Sequence, residues 1–144
     1  MIAFSYSVPV RFHEVDSAGI VFFARIFQYA HHAYEAWMRA IGFPLEPPPP
    51  GQGYGLPLVH AEADYHAPIR LGEDVHIELG LVSVGTTSFT LRAELSSVTG
   101  TRFATVTTVH VCIDWATGLP CLLPDGFRRV LLDQSPPTEG GPPT

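Results

Sequence analysis

The first predicted element is a β-strand close to the N-terminus. Every second residue from Phe4 to Phe12 is apolar, and the residues between them are polar or proline. This period of two is the pattern of a strand that buries one face. Residues 13–19 break the alternation and predict a loop.

One long helix is predicted from about Phe23 to Ile41. Apolar residues recur there three and four positions apart, which is the spacing of a single helix face. Glu35 and Arg39 stand four apart in the order that favours an ion pair. Gly42 then marks the C-terminal end of the helix.

Four further strands are predicted after the helix. Apolar and polar residues alternate over 59–65, 75–81 and 87–95, whereas the run 102–115 carries Thr and Val on both faces. Apolar residues on both faces are typical of a central strand, so 102–115 is expected inside the sheet. The prolines 47–50 predict an extended connection between the helix and these strands.

The order of strand, helix and four strands predicts an α+β fold. We expect a single domain over residues 1–133, in which a curved antiparallel sheet of about five strands wraps around one long helix. A short last helix is predicted up to Leu132. The Pro- and Gly-rich residues 134–144 are expected to form a disordered tail.

The composition fits a globular chain and excludes several functions. Of 144 residues, 46% are hydrophobic and 15% are charged, and this length suits one domain. The formal net charge of −6 argues against a nucleic-acid partner, which would require a basic face. All eight basic residues are Arg. A chain without Lys forms neither a Schiff base nor a Walker A phosphate loop.

The sequence also predicts a cytoplasmic protein without membrane contact. No signal-peptide pattern is visible, and no apolar run reaches the length of about 18 residues that a bilayer requires. Cys112 and Cys121 match neither a zinc motif nor a disulfide framework, and Cys112 is expected to be a small buried apolar residue.

Four polar residues, His60, Glu62, Asp64 and His66, follow one face of a predicted strand. Alternate residues of a strand stand about 6.6 Å apart, so this set is interpreted as a solvated face and not as a metal site. The sequence therefore predicts no metal ion, and it predicts no cofactor.

Candidate chemistry lies between Asp16 and the helix. Asp16 is a carboxylate in a tight loop, and Gly19 allows the backbone to approach a ligand closely. The helix that follows has no Ser, Thr, Asp or Asn at its expected first position, so its first N–H groups need another acceptor. A substrate oxygen that becomes negative is such an acceptor. The alternative role for Asp16 is an Asx turn with no chemistry.

The segment DSAGIVFF, residues 16–23, lies between a strand and the long helix. In that position it resembles the 4-hydroxybenzoyl-CoA thioesterase family of hot-dog-fold proteins, and the resemblance extends from Phe4 to about Leu132. Residues 32–37, 56–61 and 110–113 resemble one branch in particular, the 1,4-dihydroxy-2-naphthoyl-CoA hydrolases of phylloquinone and menaquinone synthesis. The resemblance implies one hot-dog domain that hydrolyses an aromatic acyl-CoA.

The resemblance also implies roles for individual residues. Asp16 is either the nucleophile or the base that activates water, and the backbone N–H of Phe23 polarises the thioester carbonyl. Many relatives carry Tyr or His at this position, so only the backbone role carries over to Phe23. Four residues are expected to contact substrate: Gly19, Val21, Phe22 and His60. For His60, a purely structural hydrogen bond is the alternative.

Assembly and substrate are further expectations of the resemblance. It implies homodimers or homotetramers with active sites at subunit interfaces. Phe22, Phe23 and Phe27 are expected to form an aromatic wall for a flat acyl group, with Tyr54 and Trp37 close enough to contribute. Scattered arginines are available for the CoA phosphates, and the sequence does not select among them.

Two alternatives to this function remain open. One is a thioesterase for 4-hydroxybenzoyl-CoA or for another acyl-CoA or acyl-carrier thioester. The other is a small-molecule binding protein without hydrolytic activity. Asp16 favours an enzyme, because a carboxylate that faces an apolar ligand lowers affinity unless it reacts or is paired.

Overall fold

The computed structural model describes residues 2–134 and shows a five-stranded antiparallel sheet packed against one long helix. The predicted tail lies outside these residues, except for Gln134, which ends the last helix. In chain order, the elements are β1 (Ile2–Pro9), a 3₁₀ turn (Phe12–Glu14), α1 (Arg25–Ala40), β2 (Tyr54–Gly55), β3 (Leu58–Tyr65), β4 (Asp74–Val84), β5 (Ser88–Ser96), β6 (Arg102–Val111), β7 (Ile113–Asp114) and α2 (Asp125–Gln134).

The five strands stand in the order β1-β4-β5-β6-β3, and each pairs antiparallel with its neighbours. This order makes β1 and β3 the two edge strands. The short strands β2 and β7 form a separate ribbon. The predicted α+β class and the five-stranded antiparallel sheet are therefore confirmed.

One predicted strand is divided in the structure. The run 102–115 was expected to be continuous, and its first part, β6, does lie inside the sheet between β5 and β3. At Cys112 the backbone changes partners, because its N–H donates to the carbonyl of Thr87 while its carbonyl accepts from Cys121. Ile113 and Asp114 then pair with β2 instead of the main sheet.

The helix α1 begins at Arg25, two residues later than predicted. Phe23 and Ala24 form the preceding turn, in which the Arg25 N–H donates to the Phe22 carbonyl over 2.9 Å. The predicted pair of Glu35 and Arg39 is present, with 3.9 Å between the charged atoms.

The core lies between α1 and the inner face of the sheet. Seven α1 side chains are buried: Ile26, Tyr29, Ala30, Ala33, Tyr34, Trp37 and Met38. They pack with alternate residues of β4, β5 and β6. Phe127 and Leu131 bring α2 into the same cluster. A fully buried side chain of this size contributes about 1.5–3 kcal/mol through the hydrophobic effect.

Among residues 2–134, no helix combines the length and the apolar character needed to cross a membrane.

Candidate active site

The loop between β1 and α1 holds Asp16 in an Asx turn. Its Oδ1 accepts the Ala18 N–H over 2.8 Å and the Ile20 N–H over 3.4 Å. Gly19 closes the turn with φ of 76°, a left-handed conformation that glycine adopts without strain. The other carboxylate oxygen, Oδ2, has no partner among residues 2–134. The Asx turn and a chemical role thus involve different oxygens of one side chain.

The start of α1 leaves an unused backbone donor beside this carboxylate. Ala24 occupies the N-cap position without a side-chain hydrogen bond, and the first turn contains no acidic residue. Within residues 2–134, the Phe23 N–H has no acceptor. Free N–H groups at a helix start, together with the helix dipole, stabilise negative charge.

Tyr65, which the sequence did not single out, holds the Phe23 backbone in place. The Tyr65 hydroxyl donates to the Phe23 carbonyl over 2.6 Å, although the two residues are 42 positions apart. Tyr65 is the last residue of the edge strand β3. This bond therefore ties the start of α1 to one end of that strand.

A cavity of about 280 Å³ joins these groups. Asp16, Phe22, Phe23 and Tyr65 all border it. The remaining lining residues are Ile20, Val21, Ile26, Pro68, Ile69, Phe103 and Ala104. Phe23 is 62% exposed, so the aromatic wall is open to a ligand.

The structure does not bring every predicted contact residue into this cavity. Val21 and Phe22 line it, whereas Gly19 shapes the neighbouring turn without lining it. His60 lies toward the opposite end of β3 from Tyr65, where its Nε2 stands 3.5 Å from a Glu62 carboxylate oxygen. Within one chain, His60 is thus separated from the Asp16 cavity.

Two aromatic residues that were expected at the same wall lie elsewhere. Trp37 is 1% exposed and belongs to the core, so its predicted contribution to the wall is wrong. Tyr54 borders a second, larger cavity of about 980 Å³ with Trp115 and the prolines 47–50. The three- and four-residue spacing places Trp37 on the apolar face of the helix, but it does not show which part of that face the sheet leaves accessible to a ligand.

Glu14 is a buried carboxylate at the base of the loop. Its Oε1 accepts the Arg11 N–H over 2.8 Å, and its carbonyl accepts the Phe22 N–H over 2.9 Å. Burial, and then the charge of Glu14, raise the pKa of the Tyr29 hydroxyl above its usual range. Glu14 therefore fixes the backbone on both sides of the Asp16 turn.

A second polar group, His110 of β6, lies against α1 at Tyr34. The buried His110 ring stacks on Phe89 at 4.9 Å between centroids and contacts Tyr34 at 4.4 Å. Its Nδ1 is 3.1 Å from the Leu56 carbonyl. Burial lowers the pKa of His110 to about 4; the hydrogen bond to the Leu56 carbonyl opposes this shift, and electrostatic interaction with the nearby His31 adds to it. The ring is thus neutral at physiological pH.

Two further expectations concern metal ligands and cysteine. Across residues 2–134, no three His, Cys, Asp or Glu side chains are grouped as a metal ion would require. Cys112 is fully buried, as predicted, and its Sγ lies 3.1 Å from that of Cys121. Both cysteines are free thiols.

This arrangement suits attack on an activated carbonyl. A carboxylate oxygen without a partner is able to act as a nucleophile or a base, and an unused N–H at the helix start is able to donate to a developing oxyanion. Within residues 2–134 of one chain, the residues that line the cavity include no histidine and no basic side chain to protonate a leaving group, so the arrangement suits a group that departs without protonation. A thiolate, whose conjugate acid has a pKa near 8.5, meets that requirement.

A family model and the curated relatives that match this chain both describe thioester hydrolases. The family model of the thioesterase-like superfamily matches residues 10–131. A 1,4-dihydroxy-2-naphthoyl-CoA hydrolase from Synechococcus elongatus is 34% identical over 129 residues, which are 89% of this chain and 94% of that protein. Another, from Nostoc punctiforme, is 32% identical over 139 residues, covering 96% of this chain and 93% of its own.

The solved structures agree with these relatives. The crystal structure of a 1,4-dihydroxy-2-naphthoyl-CoA thioesterase from Synechocystis superposes with a TM-score of 0.84 at 29% identity. The match covers 90% of this chain and 96% of that one.

Proposed function

The chain belongs to the thioesterase-like superfamily, and we propose that it hydrolyses 1,4-dihydroxy-2-naphthoyl-CoA in the synthesis of phylloquinone or menaquinone. It is an acyl-CoA thioesterase, as its relatives are named. The observation that carries the proposed substrate is the cavity in which the Asp16 carboxylate meets the aromatic rings of Phe22 and Phe23. Flat aromatic walls favour a flat acyl group.

The reaction follows from the two groups that face the cavity. In one route, Asp16 Oδ2 attacks the thioester carbon, the C–S bond breaks, and CoA leaves as a thiolate. Water then hydrolyses the mixed anhydride and restores the carboxylate. In the other route, Oδ2 removes a proton from a water molecule as its oxygen attacks the thioester carbon, and the C–S bond then breaks to release the CoA thiolate. In both routes, the Phe23 N–H stabilises the oxyanion that forms on the carbonyl oxygen.

The substitution Asp16→Asn tests the proposed chemistry without removing the turn. The Asn Oδ1 still accepts the Ala18 and Ile20 N–H groups, so the loop keeps its conformation while the reacting carboxylate is lost. We expect kcat to fall at least about 10²-fold. The matched control is Asp133→Asn, an exposed carboxylate on α2 that should retain wild-type kcat. Near-normal turnover of folded Asp16→Asn would exclude Asp16 from the mechanism.

A substrate panel tests the proposed acyl group. CoA release is measured with 1,4-dihydroxy-2-naphthoyl-, 4-hydroxybenzoyl-, phenylacetyl-, acetyl- and long-chain acyl-CoA. The second ring should raise kcat/KM at least about tenfold over the one-ring substrate, because it buries more apolar surface against the aromatic wall. A higher kcat/KM for a long-chain acyl-CoA would refute the naphthoyl assignment and leave the role of Asp16 intact.

We also propose that two copies pair through the edge strand β3. Seven of its eight residues are exposed, including Leu58, Val59 and Tyr65. An unpaired edge with exposed apolar side chains is a site for pairing with another strand. The opposite edge strand, β1, ends in Pro9, which has no N–H to donate. This pairing gives a homodimer, and two dimers can associate into a tetramer.

The substitution Ala61→Glu tests the proposed pairing. It places like charges across the two-fold axis in the middle of the paired strands, which is unfavourable. Light scattering should give a mass of at least twice 15.7 kDa for the wild type and of 15.7 kDa for the variant. Ser5→Glu, on the exposed side of β1, is the matched control and should keep the wild-type mass. A monomeric wild type at micromolar concentration would contradict the pairing.

A cytoplasmic location is part of the same proposal. Cys112 and Cys121 are free thiols, the state that the reducing cytoplasm maintains. Fractionation of the native host followed by immunodetection would test this, and recovery in a membrane or extracytoplasmic fraction would contradict it.

A further inference from the structure

An open trough runs along α1 beside the edge strand β3. The helix packs against β1, β4 and β6, and seven of the eight residues of β3 are exposed. Ala61 and Ala63 pair with Thr108 and with the buried Val106, which places these small residues on the helix side of the sheet. If two β3 strands pair as proposed, their troughs join into one space between two helices.

Three side chains spaced four residues apart, Phe23, Phe27 and His31, follow α1 along this trough. Phe23 borders the Asp16 cavity, whereas Phe27 and His31 border a small cavity of about 30 Å³ beside Leu58. His31 is exposed and makes no hydrogen bond or ion pair within residues 2–134. This stripe of three side chains therefore consists of two phenyl rings and one imidazole that makes no hydrogen bond within the described residues.

The proposed pairing, with a two-fold axis between the β3 strands, would bring the ends of this stripe together. Antiparallel pairing places Leu58 of one copy beside Tyr65 of the other. Tyr65 holds Phe23, and Leu58 adjoins His31, so His31 of the second copy faces Phe23 of the first. Within one chain, Phe23 lies in the turn before α1 and His31 lies eight residues later, which is about 12 Å away at the helical rise per residue and exceeds the length of a two-ring acyl group.

We propose that His31 of each copy is a specificity residue for the active site of the other copy, where its imidazole hydrogen-bonds a ring hydroxyl of the aromatic acyl group. This inference rests on the proposed function and on the proposed pairing. A neutral imidazole offers one donor and one acceptor, which match the acceptor and donor of a phenolic hydroxyl. A hydroxylated aromatic acyl group is thereby distinguished from the same ring without the hydroxyl.

The residues behind His31 support a fixed orientation of its ring. The Tyr34 ring lies 5.7 Å from it, and Tyr34 in turn contacts His110, which stacks on Phe89. The Tyr34 hydroxyl is buried and has no hydrogen-bond partner within residues 2–134. Side chains whose positions are set by such packing lose little entropy when they bind a ligand.

The first test compares two substrates that differ by one hydroxyl, 1-hydroxy-2-naphthoyl-CoA and 2-naphthoyl-CoA. His31→Phe should lower kcat/KM about tenfold for the hydroxylated substrate and leave the value for 2-naphthoyl-CoA unchanged. His31→Asn, which keeps a donor and an acceptor, should restore part of the preference. His32→Phe is the matched control, since neighbouring residues of a helix point about 100° apart. Equal losses on both substrates would overturn the specificity role.

The second test asks which copy His31 serves. Heterodimers with Asp16→Asn in one chain and His31→Phe in the other are purified through two different tags. If His31 acts across the interface, one of the two sites is wholly wild type, so half the wild-type kcat remains with full preference for the hydroxyl. If His31 acts within its own chain, the surviving site lacks it and the preference disappears, which overturns the inference. Failure of the wild type to release CoA from either thioester would instead refute the proposed function.

Discussion

Acidification is expected to destabilise the fold through His110. The ring is 2% exposed between Phe89 and Tyr34, and burial lowers its pKa to about 4. The Leu56 carbonyl is its hydrogen-bond partner, and His31 is the nearby titratable group that adds to the lowering. In the unfolded chain, the same side chain titrates near its ordinary pKa of about 6.5.

The sign and size of the effect follow from proton linkage. Between these two pKa values, the unfolded chain binds a proton that the native state does not, so stability decreases as the pH falls. Each pH unit changes the free energy of unfolding by about 1.4 kcal/mol, and the loss between pH 6.5 and pH 4 reaches roughly 3 kcal/mol. Above pH 6.5, both states are neutral at His110 and this contribution is constant.

Urea denaturation at a fixed protein concentration measures this loss. The fluorescence of the buried Trp37 reports unfolding at several pH values between 7.5 and 4.5. His110→Asn is the comparison, because its amide can bond the Leu56 carbonyl but does not titrate. The exposed histidines and carboxylates contribute equally to both proteins, so the difference between the two pH profiles isolates His110. Identical pH dependence in wild type and variant would show that His110 is not held neutral.

Two other predictions concern the backbone around the site. Gly19→Ala should lower the free energy of unfolding by about 1–2 kcal/mol, because φ is 76° there, and it should also lower kcat. The control is Gly100→Ala, at φ of 94° in the β5–β6 turn, which should lower the melting temperature without affecting kcat. Tyr65→Phe removes the 2.6 Å hydrogen bond to the Phe23 carbonyl, so kcat should fall severalfold. The control Tyr6→Phe, on β1, should leave kcat unchanged. Unaltered kinetics of Tyr65→Phe would show that this bond does not position the Phe23 N–H.

Most of the strands and helices could be predicted, because each follows from the spacing of apolar residues within its own segment. Strands β1, β4 and β5 alternate apolar and polar residues, and the buried positions of the structure follow that period. The division of β6 at Cys112 could not be predicted in this way. Apolar character continues through the break, and only the change of hydrogen-bond partners to Thr87 and Cys121 ends the strand.

Only the part of the site that the segment from Asp16 to Phe23 forms could be predicted from the sequence. Asp16, Val21, Phe22 and Phe23 are nearly contiguous, so a short motif identifies them. The other lining residues include Tyr65, Pro68, Ile69, Phe103 and Ala104. Pairing of β3 with β6 brings Tyr65 beside Ala104, and the Val21 N–H donates to the Ile69 carbonyl. No local pattern marks these residues, because their role depends on contacts between distant parts of the chain.

Glu14 shows how a charged residue in a predicted loop determines the geometry of the site. Its side chain accepts the Arg11 N–H before the turn, and its carbonyl accepts the Phe22 N–H after it. A buried carboxylate is costly unless it is hydrogen-bonded, so this position is stable only while the loop closes around it. The closed loop places Phe22 and Phe23 beside Asp16. The position of the proposed oxyanion donor therefore depends on a buried charge that itself takes no part in the reaction.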